Sequence, residues 1–223
     1  MNVLIAREES QHVCTAFRDR GHTAYSCDIQ SASGGHPEWH IKGDVIPLLN
    51  GRCRFTTQDG QEHEILGKWG LIIAHPPCTY LTVTGNRWFD TGKYGKVAWE
   101  RMAERNRAIA FFYNFVTADC DRVAIENPIG IMSTAYRPPD QIVQPYMFGD
   151  PFEKRTCLWL KGVPPLNPTN VVEPPPRKKF ASGKTMPEWY ARAYGLPEEE
   201  RRKERSRTFP GLASAMAEQW GSI

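Results

Sequence analysis

Apolar residues fall along this chain in two rhythms. Val3-Leu4-Ile5-Ala6 and Leu71-Ile72-Ile73-Ala74 are short unbroken apolar runs, the pattern of strands buried on both faces of a parallel sheet. Between them, Ser10–Arg20 sets Val13, Ala16 and Phe17 on one helical face, with Gly21 placed to end the helix. His22–Cys27 predicts a second strand, ending at Asp28, and Ser31–Gly43 a polar loop. Cys53–Leu66 predicts a polar hairpin turning at Asp59-Gly60. Ala98–Ala118 carries Met102, Ile109, Phe112, Tyr113 and Val116 at helical spacing. Arg122–Ile125 and Thr156–Leu160 predict two further strands. Pro164–Pro176 is irregular, Pro187–Tyr194 a short aromatic helix, Glu198–Arg207 a charged run and Gly211–Trp220 a closing helix.

Strands alternating with helices predict an α/β fold. The expected organisation is a catalytic body over 1–160, a small basic insertion over 161–207, and a closing helix of the body over 208–223. The opening strand, turn, helix, strand and acid match the start of a Rossmann-like unit, where an acid such as Asp28 binds the ribose hydroxyls of an adenosine ligand. The glycine-rich turn usual there is replaced by Arg7-Glu8-Glu9-Ser10.

Composition narrows the class. A chain of 223 residues, 40% hydrophobic and 24% charged, suits one α/β domain with a small appendage. No apolar run approaches the roughly 20 residues of a membrane helix. The N-terminus lacks the basic lead-in of a signal peptide. The six cysteines are scattered with no C-x-x-C pair, which speaks for a reducing, cytoplasmic setting and against a zinc ribbon or disulfide framework. His36 and His40 read as loop residues, and no metal is expected. His36-Pro37-Glu38 followed by Pro77-Cys78 imitates the zinc deaminase signature, but Leu81 stands where the second cysteine is required.

Net charge is only +3, yet residues 177–207 hold ten Lys/Arg against five Glu. Such a segment is either a polyanion contact or a solvated face.

Candidate chemistry centres on Trp69–Asn86. Pro76 and Pro77 stop the strand at Ala74 and lead out in a stiff loop. Cys78 follows, beyond a strand's carboxyl end, where ligands bind in open α/β sheets. A loop thiol without a role is the alternative. A second strand ends in Glu126-Asn127-Pro128 at the same edge. Arg87–Val97 reads as a mobile active-site flap.

Pro76-Pro77-Cys78, Glu126-Asn127-Pro128 and the basic Lys154-Arg155 before a strand together resemble the DNA cytosine carbon-5 methyltransferases. That family carries P-P-C, E-N-V and Q-x-R-x-R in this order at strand ends. The resemblance spans most of 1–160 and 206–223. It implies a Rossmann-like methyltransferase sheet with a small irregular C-terminal insertion, and a minimal, phage- or prophage-type relative. It implies Cys78, Glu126 and Arg155 as catalytic residues, with S-adenosylmethionine bound by Ala6, Glu8, Asp28, Asp44 and Pro76. The substrate, DNA, would meet Pro77, Asn127, Lys154, Arg177, Lys178 and Lys179. This chain departs from the family in lacking the F-x-G-x-G glycines, in Pro128, in the Phe152-Glu153-Lys154-Arg155-Thr156 motif, and in the small space left for target recognition.

The chemistry suits these residue types. A thiolate adding to carbon 6 of cytosine makes carbon 5 nucleophilic, a nearby cation such as Arg155 favours the thiolate, and Glu126 binds the ring nitrogen and amino group. Trp189, Tyr190 and Tyr194 in the insertion are candidates to stack on bases. Rival readings are the same chemistry on a single strand or free nucleotide, a catalytically silent nucleic-acid-binding relative, and an amino-group methyltransferase. The last is disfavoured by His75 and Cys78 at the outer positions of its D/N-P-P-Y/F loop.

Overall fold

The computed structural model describes residues 1–206 and 208–223. Arg207, the last cation of the predicted charged run, lies outside them. In chain order the elements are β1 (Asn2–Ala6), α1 (His12–Arg18), β2 (Thr23–Asp28), β3 (His40–Lys42), β4 (Cys53–Thr56), β5 (Glu62–Ile65), β6 (Leu71–Ala74), α2 (Thr91–Val116), β7 (Val123–Pro128), α3 (Met132–Ala135), β8 (Gln141–Val143), β9 (Thr156–Lys161), β10 (Arg177–Lys179), β11 (Thr185–Pro187), α4 (Glu188–Ala193), α5 (Glu198–Ser206) and α6 (Pro210–Gly221). The fold is mixed α/β and Rossmann-like, as expected.

A seven-stranded sheet runs β3-β2-β1-β6-β7-β9-β8. Pairing is parallel from β3 through β7, and β9 is antiparallel to both β7 and β8. The chain winds outward from β1 to one side, then returns to its other side at β6. That reversal opens a crevice beyond the carboxyl ends of β1 and β6. Both faces of the central strands are covered. Leu4, Ala6, Ile72 and Ala74 face a core with Phe112, Phe115 and the β4–β5 hairpin, while Val3, Ile5, Leu71 and Ile73 face α1 and α6. This is why those strands are apolar without alternation.

The hairpin turns at Asp59-Gly60, as predicted, and its Phe55 lies against Tyr25 and Trp69. α1 ends at Arg18 with Asp19 as its C-cap, and Gly21, expected to end it, lies in the following turn with φ 80°, its N–H donating to the Arg18 carbonyl at 2.9 Å. The helix itself is shorter than Ser10–Arg20, because Gln11 takes a left-handed φ of 60° and the helix starts after it.

The expected flap at Arg87–Val97 is largely helical, interrupted at extended Asp90 and by a kink at Gly95, whose φ is 49°. A 3-10 segment over Val83–Phe89 runs into α2, whose first turn is capped by Asp90 accepting from the Lys93 N–H at 3.1 Å. Arg105 sets its guanidinium 3.4 Å over the Phe89 ring and donates to the Tyr80 carbonyl and Asn86. These are contacts across more than a dozen residues, invisible to local pattern. Only the second half of α2 packs on the sheet, through Phe112 and Phe115; Val97, Trp99 and Met102 stay exposed.

The insertion is more ordered than its proline content suggests. It forms the β10–β11 hairpin and α4. Trp189, expected to stack on bases, is buried against Phe152, which also meets Phe209. It is core to the appendage, and Tyr194 is the exposed aromatic there. No described helix is long and apolar enough to cross a membrane.

Trp220 on α6 is fully buried and donates its indole N–H to the Pro164 carbonyl at 2.9 Å. Trp220→Ala is expected to lower stability by about 3–5 kcal/mol, through a cavity and an unpaired carbonyl. Urea denaturation measures this; a loss under about 1 kcal/mol would show that α6 does not hold the sheet.

Candidate active site

The site follows from strand register. Ala6 of β1 pairs with Ala74 of β6, and Ala74 pairs with Ile125 of β7. The next residue on each strand is therefore level with the others: Arg7, His75 and Glu126. The His75 N–H donates to the Ala6 carbonyl at 2.9 Å, extending the ladder one step past the strand. Because β9 runs antiparallel, its start, not its end, lies at this edge, and Pro128 pairs with Thr156. The residues just before β9, Lys154 among them, are thereby delivered to the same edge.

Two devices fix the Pro76-Pro77-Cys78 loop. The Asn127 amide donates to the Pro76 carbonyl at 2.7 Å. Beyond Cys78, Ile131 N–H donates to the Leu81 carbonyl at 2.8 Å, joining this loop to the one after β7. Gly130 is required there, since a Cβ would lie 2.0 Å from the Leu81 oxygen. Asn127, expected to touch substrate, is 1% exposed and positions the loop instead. Pro76 is buried beneath this bond and Pro77 is exposed at the rim.

Four ionisable groups interact at this edge. His75 Nδ1–H donates to Glu126 Oε2 at 3.3 Å, both side chains being largely buried. Burial lowers the proton affinity of His75, but the bond and charge of Glu126, with Glu8 beyond, outweigh it and leave its pKa above the ordinary value. Burial likewise pushes Glu126 up, and His75 and Lys154 more than reverse this, so its carboxyl ionises more readily than usual. Burial and then the Glu126 charge raise the Cys78 thiol, against Lys154 and Arg205. Lys154 is lowered by burial, against the charges of Glu126 and Cys78. These directions favour the charged form of the His75–Glu126 pair and the protonated form of the Cys78 thiol.

Lys154, rather than Arg155, is the cation beside Cys78. Arg155 is exposed, and the thiol whose ionisation it eases is Cys157 on β9. Two adjacent cations on an extended segment point to opposite sides, and local sequence does not say which faces inward. Two members of this environment were not expected as site residues, His75 and Arg205, and they are joined by Tyr190, a candidate to stack on bases. Arg205 lies 4.9 Å over the Tyr190 ring, and both interact electrostatically with Cys78. The basic appendage thus stands over the thiol. Register was the one sequence signal for His75, which follows the end of β6 level with Glu126 on β7.

The neighbouring crevice holds the expected cofactor residues in altered roles. Asp28 is 3% exposed, takes the Gln30 N–H at 2.9 Å, and meets Arg7 at 3.5 Å. Arg7 occupies a left-handed φ of 65°, the conformation glycine provides in a glycine-rich turn. Glu8 is committed elsewhere: its oxygens accept from the Val13 and Cys14 N–H groups at 2.7 and 3.1 Å, holding the start of α1. Ala6 is buried at the crevice floor, and Asp44 is exposed at its rim, accepting from Ile46 N–H. Arg7 Nε, His75 Nε2 and Asn127 Oδ1 are buried with no hydrogen-bond partner among the described residues.

In the appendage, Arg177 pairs with Glu153 and with Thr185, tying β10 to the segment that carries Lys154. Lys178 and Lys179 are exposed.

No family model and no curated protein matches the sequence. Among solved structures, one described as a candidate DNA modification methyltransferase encoded within an E. coli prophage is similar at 16% identity and a TM-score of 0.47. The likeness covers 89% of this chain, which spans only 56% of that one.

Cys78 and Cys53 are the two thiols not fully buried, and all six are unpaired. Iodoacetamide labelling, followed peptide by peptide, is expected to modify Cys78 slowly at pH 7, because its thiolate fraction is below that of an ordinary thiol. Glu126→Gln removes a charge that opposes the thiolate and should accelerate labelling by about three- to tenfold, the equivalent of half to one pKa unit. Lys154→Met should slow it; acceleration there would contradict the charge assignment.

Proposed function

We propose that this chain is a DNA cytosine carbon-5 methyltransferase-like enzyme using S-adenosylmethionine. The observation that carries this reading is that Cys78, just beyond β6, interacts electrostatically with Glu126, near the end of the adjacent parallel β7, and with half-buried Lys154. A nucleophile, a carboxyl group and a cation are what addition to a cytosine ring requires.

Sγ of Cys78 forms a bond to carbon 6, and ring electrons move toward N3, which takes a proton from Glu126. The thiol proton leaves to water. Lys154 stabilises the thiolate as it forms, in a pocket where burial strengthens the interaction. Loss of the carbon-5 proton and departure of Sγ then restore the ring. The target base of a duplex has to be flipped out to reach Cys78. Tyr190 and Arg205 would enclose it.

Residues at the carboxyl ends of β1 and β2 would hold the cofactor. Asp28 offers a buried carboxylate for ribose hydroxyls. Arg7 Nε is a buried donor without a partner, suited to the ligand's carboxylate. Ala6, Pro76 and Asp44 would line the rest. When bound, the cofactor supplies an electrophilic methyl group to the activated carbon 5.

DNA carrying 5-fluorodeoxycytidine should trap the wild-type enzyme as a covalent adduct in the presence of S-adenosylmethionine, because fluorine cannot leave as the proton does. Cys78→Ser should fold normally, form no adduct and produce no 5-methyldeoxycytidine by nucleoside mass spectrometry. Adduct formation by Cys78→Ser would falsify the assignment, and turnover of free deoxycytidylate with none on DNA would move the substrate to the nucleotide level.

Duplex binding should weaken steeply with salt. Lys178→Glu with Lys179→Glu leaves the Arg177–Glu153 tie intact and should reduce the slope of log affinity against log salt by about two, for all sequences alike. Unchanged affinity and slope in a fluorescence anisotropy titration would remove the appendage from the DNA contact.

A further inference from the structure

The cytosine reading leaves one group of the cluster without a task. His75 is the first residue beyond β6 and lies level with Glu126 across the β6–β7 pairing. Its Nδ1 is 3.3 Å from Glu126 Oε2, in the largely buried floor of the pocket. Its Nε2 is buried with no partner among the described residues. A buried imidazole with one nitrogen on a carboxylate is a usual arrangement for moving a proton.

Resting on the function proposed above, we propose that His75 is a positioning residue that supplies Glu126 with the proton it passes to cytosine N3. Glu126 has to be protonated to donate, yet its Oε2 faces His75 Nδ1 as an acceptor and its proton affinity is lowered. The proton it needs is 3.3 Å away on His75 Nδ1. As Sγ of Cys78 bonds to carbon 6, the Nδ1 proton moves to Glu126 Oε2 and the carboxyl group gives a proton to N3. His75 is then neutral. When Sγ leaves, N3 returns its proton to Glu126 and His75 is recharged, so the relay is closed and needs no outside acid.

The same transfer serves the nucleophile. Glu126 as an anion is, after burial, what most opposes the Cys78 thiolate. Moving a proton onto Glu126 removes that opposition when the base engages it, so an empty pocket keeps its thiol protonated and unreactive.

The charges facing His75 come from three elements. Glu126 on β7 and Glu8 after β1 favour its protonated form, and Lys154 before β9 disfavours it. The protonated form is needed for catalysis, and its pKa is raised. Activity is therefore present below that raised value and lost as pH rises through it.

Two measurements test the proposal. In wild-type protein, histidine ring ¹H–¹³C spectra should show His75 titrating above the ordinary value of about 6.5. Glu126→Gln should bring that midpoint down. The second measurement is the pH profile of adduct formation on 5-fluorodeoxycytidine DNA. His75→Gln should slow the adduct by about ten- to a hundredfold at pH 7.5. Its deficit should shrink toward pH 5, where Glu126 takes protons from solvent, whereas a purely structural lesion lowers the rate equally at every pH. A wild-type midpoint at or below 6.5 that Glu126→Gln does not move overturns the proposal, as does a His75→Gln profile parallel to wild type. No adduct from the wild type at any pH overturns the cytosine reading itself, and this inference with it.

Discussion

The structure depends on the parallel pairing of β6 with β1 on one side and β7 on the other. Parallel strands in register end together, so whatever follows each strand is brought to one line. Here that line is Arg7, His75 and Glu126. Two of the three form an ion pair and the third reaches Asp28 across the crevice. Backbone that leaves a sheet at such an edge has to find other partners for its polar groups. The Asn127 amide on the Pro76 carbonyl and the Leu81–Ile131 bond supply them, and in doing so they fix the thiol's approach.

Charges gathered in a buried pocket are costly unless each is balanced. The cluster balances by alternation: Glu8, His75, Glu126 and Lys154 each sense an opposite charge. The antiparallel β9 is what makes Lys154 available, because its amino end lies beside the carboxyl end of β7. The appendage then anchors the segment before β9 through the Arg177–Glu153 pair, and Trp189 and Phe209 pack on Phe152, the residue before Glu153. Removing the appendage would loosen the segment that carries Lys154.

The turn between β1 and α1 solves a glycine-rich loop's problem without glycine. Arg7 and Gln11 both take left-handed conformations, which cost a non-glycine residue stability. Compensation comes from side chains. Glu8 accepts the first N–H groups of α1, and Gln11 clasps both the N–H and carbonyl of His36. The loop before β3 is thus pinned over the turn, and the crevice has a defined wall. A Glu8 carboxylate at the helix start also means that this helix dipole is already answered, so an anionic ligand gains little there; the nearby cation, Arg7, is the group available to one.

The sequence by itself determined the layering and the edge. Unbroken apolar runs at Val3–Ala6 and Leu71–Ala74 require burial on both faces, the 3.6-residue rhythm around Phe112 requires a sheet to pack on, and prolines after Ala74 require the strand to stop. Those local rules hold whatever the rest of the chain does, so Cys78 and Glu126 were legible as strand-end residues. Tertiary structure alone decided which neighbours they have. Register promoted His75 into the cluster, strand direction chose Lys154 over Arg155, and packing turned Trp189 into core and the expected flap into helix. Each of these depends on a contact between residues far apart in the chain. A residue's type states which bonds it can make, and only the fold states which partners come within the few ångströms where such bonds form.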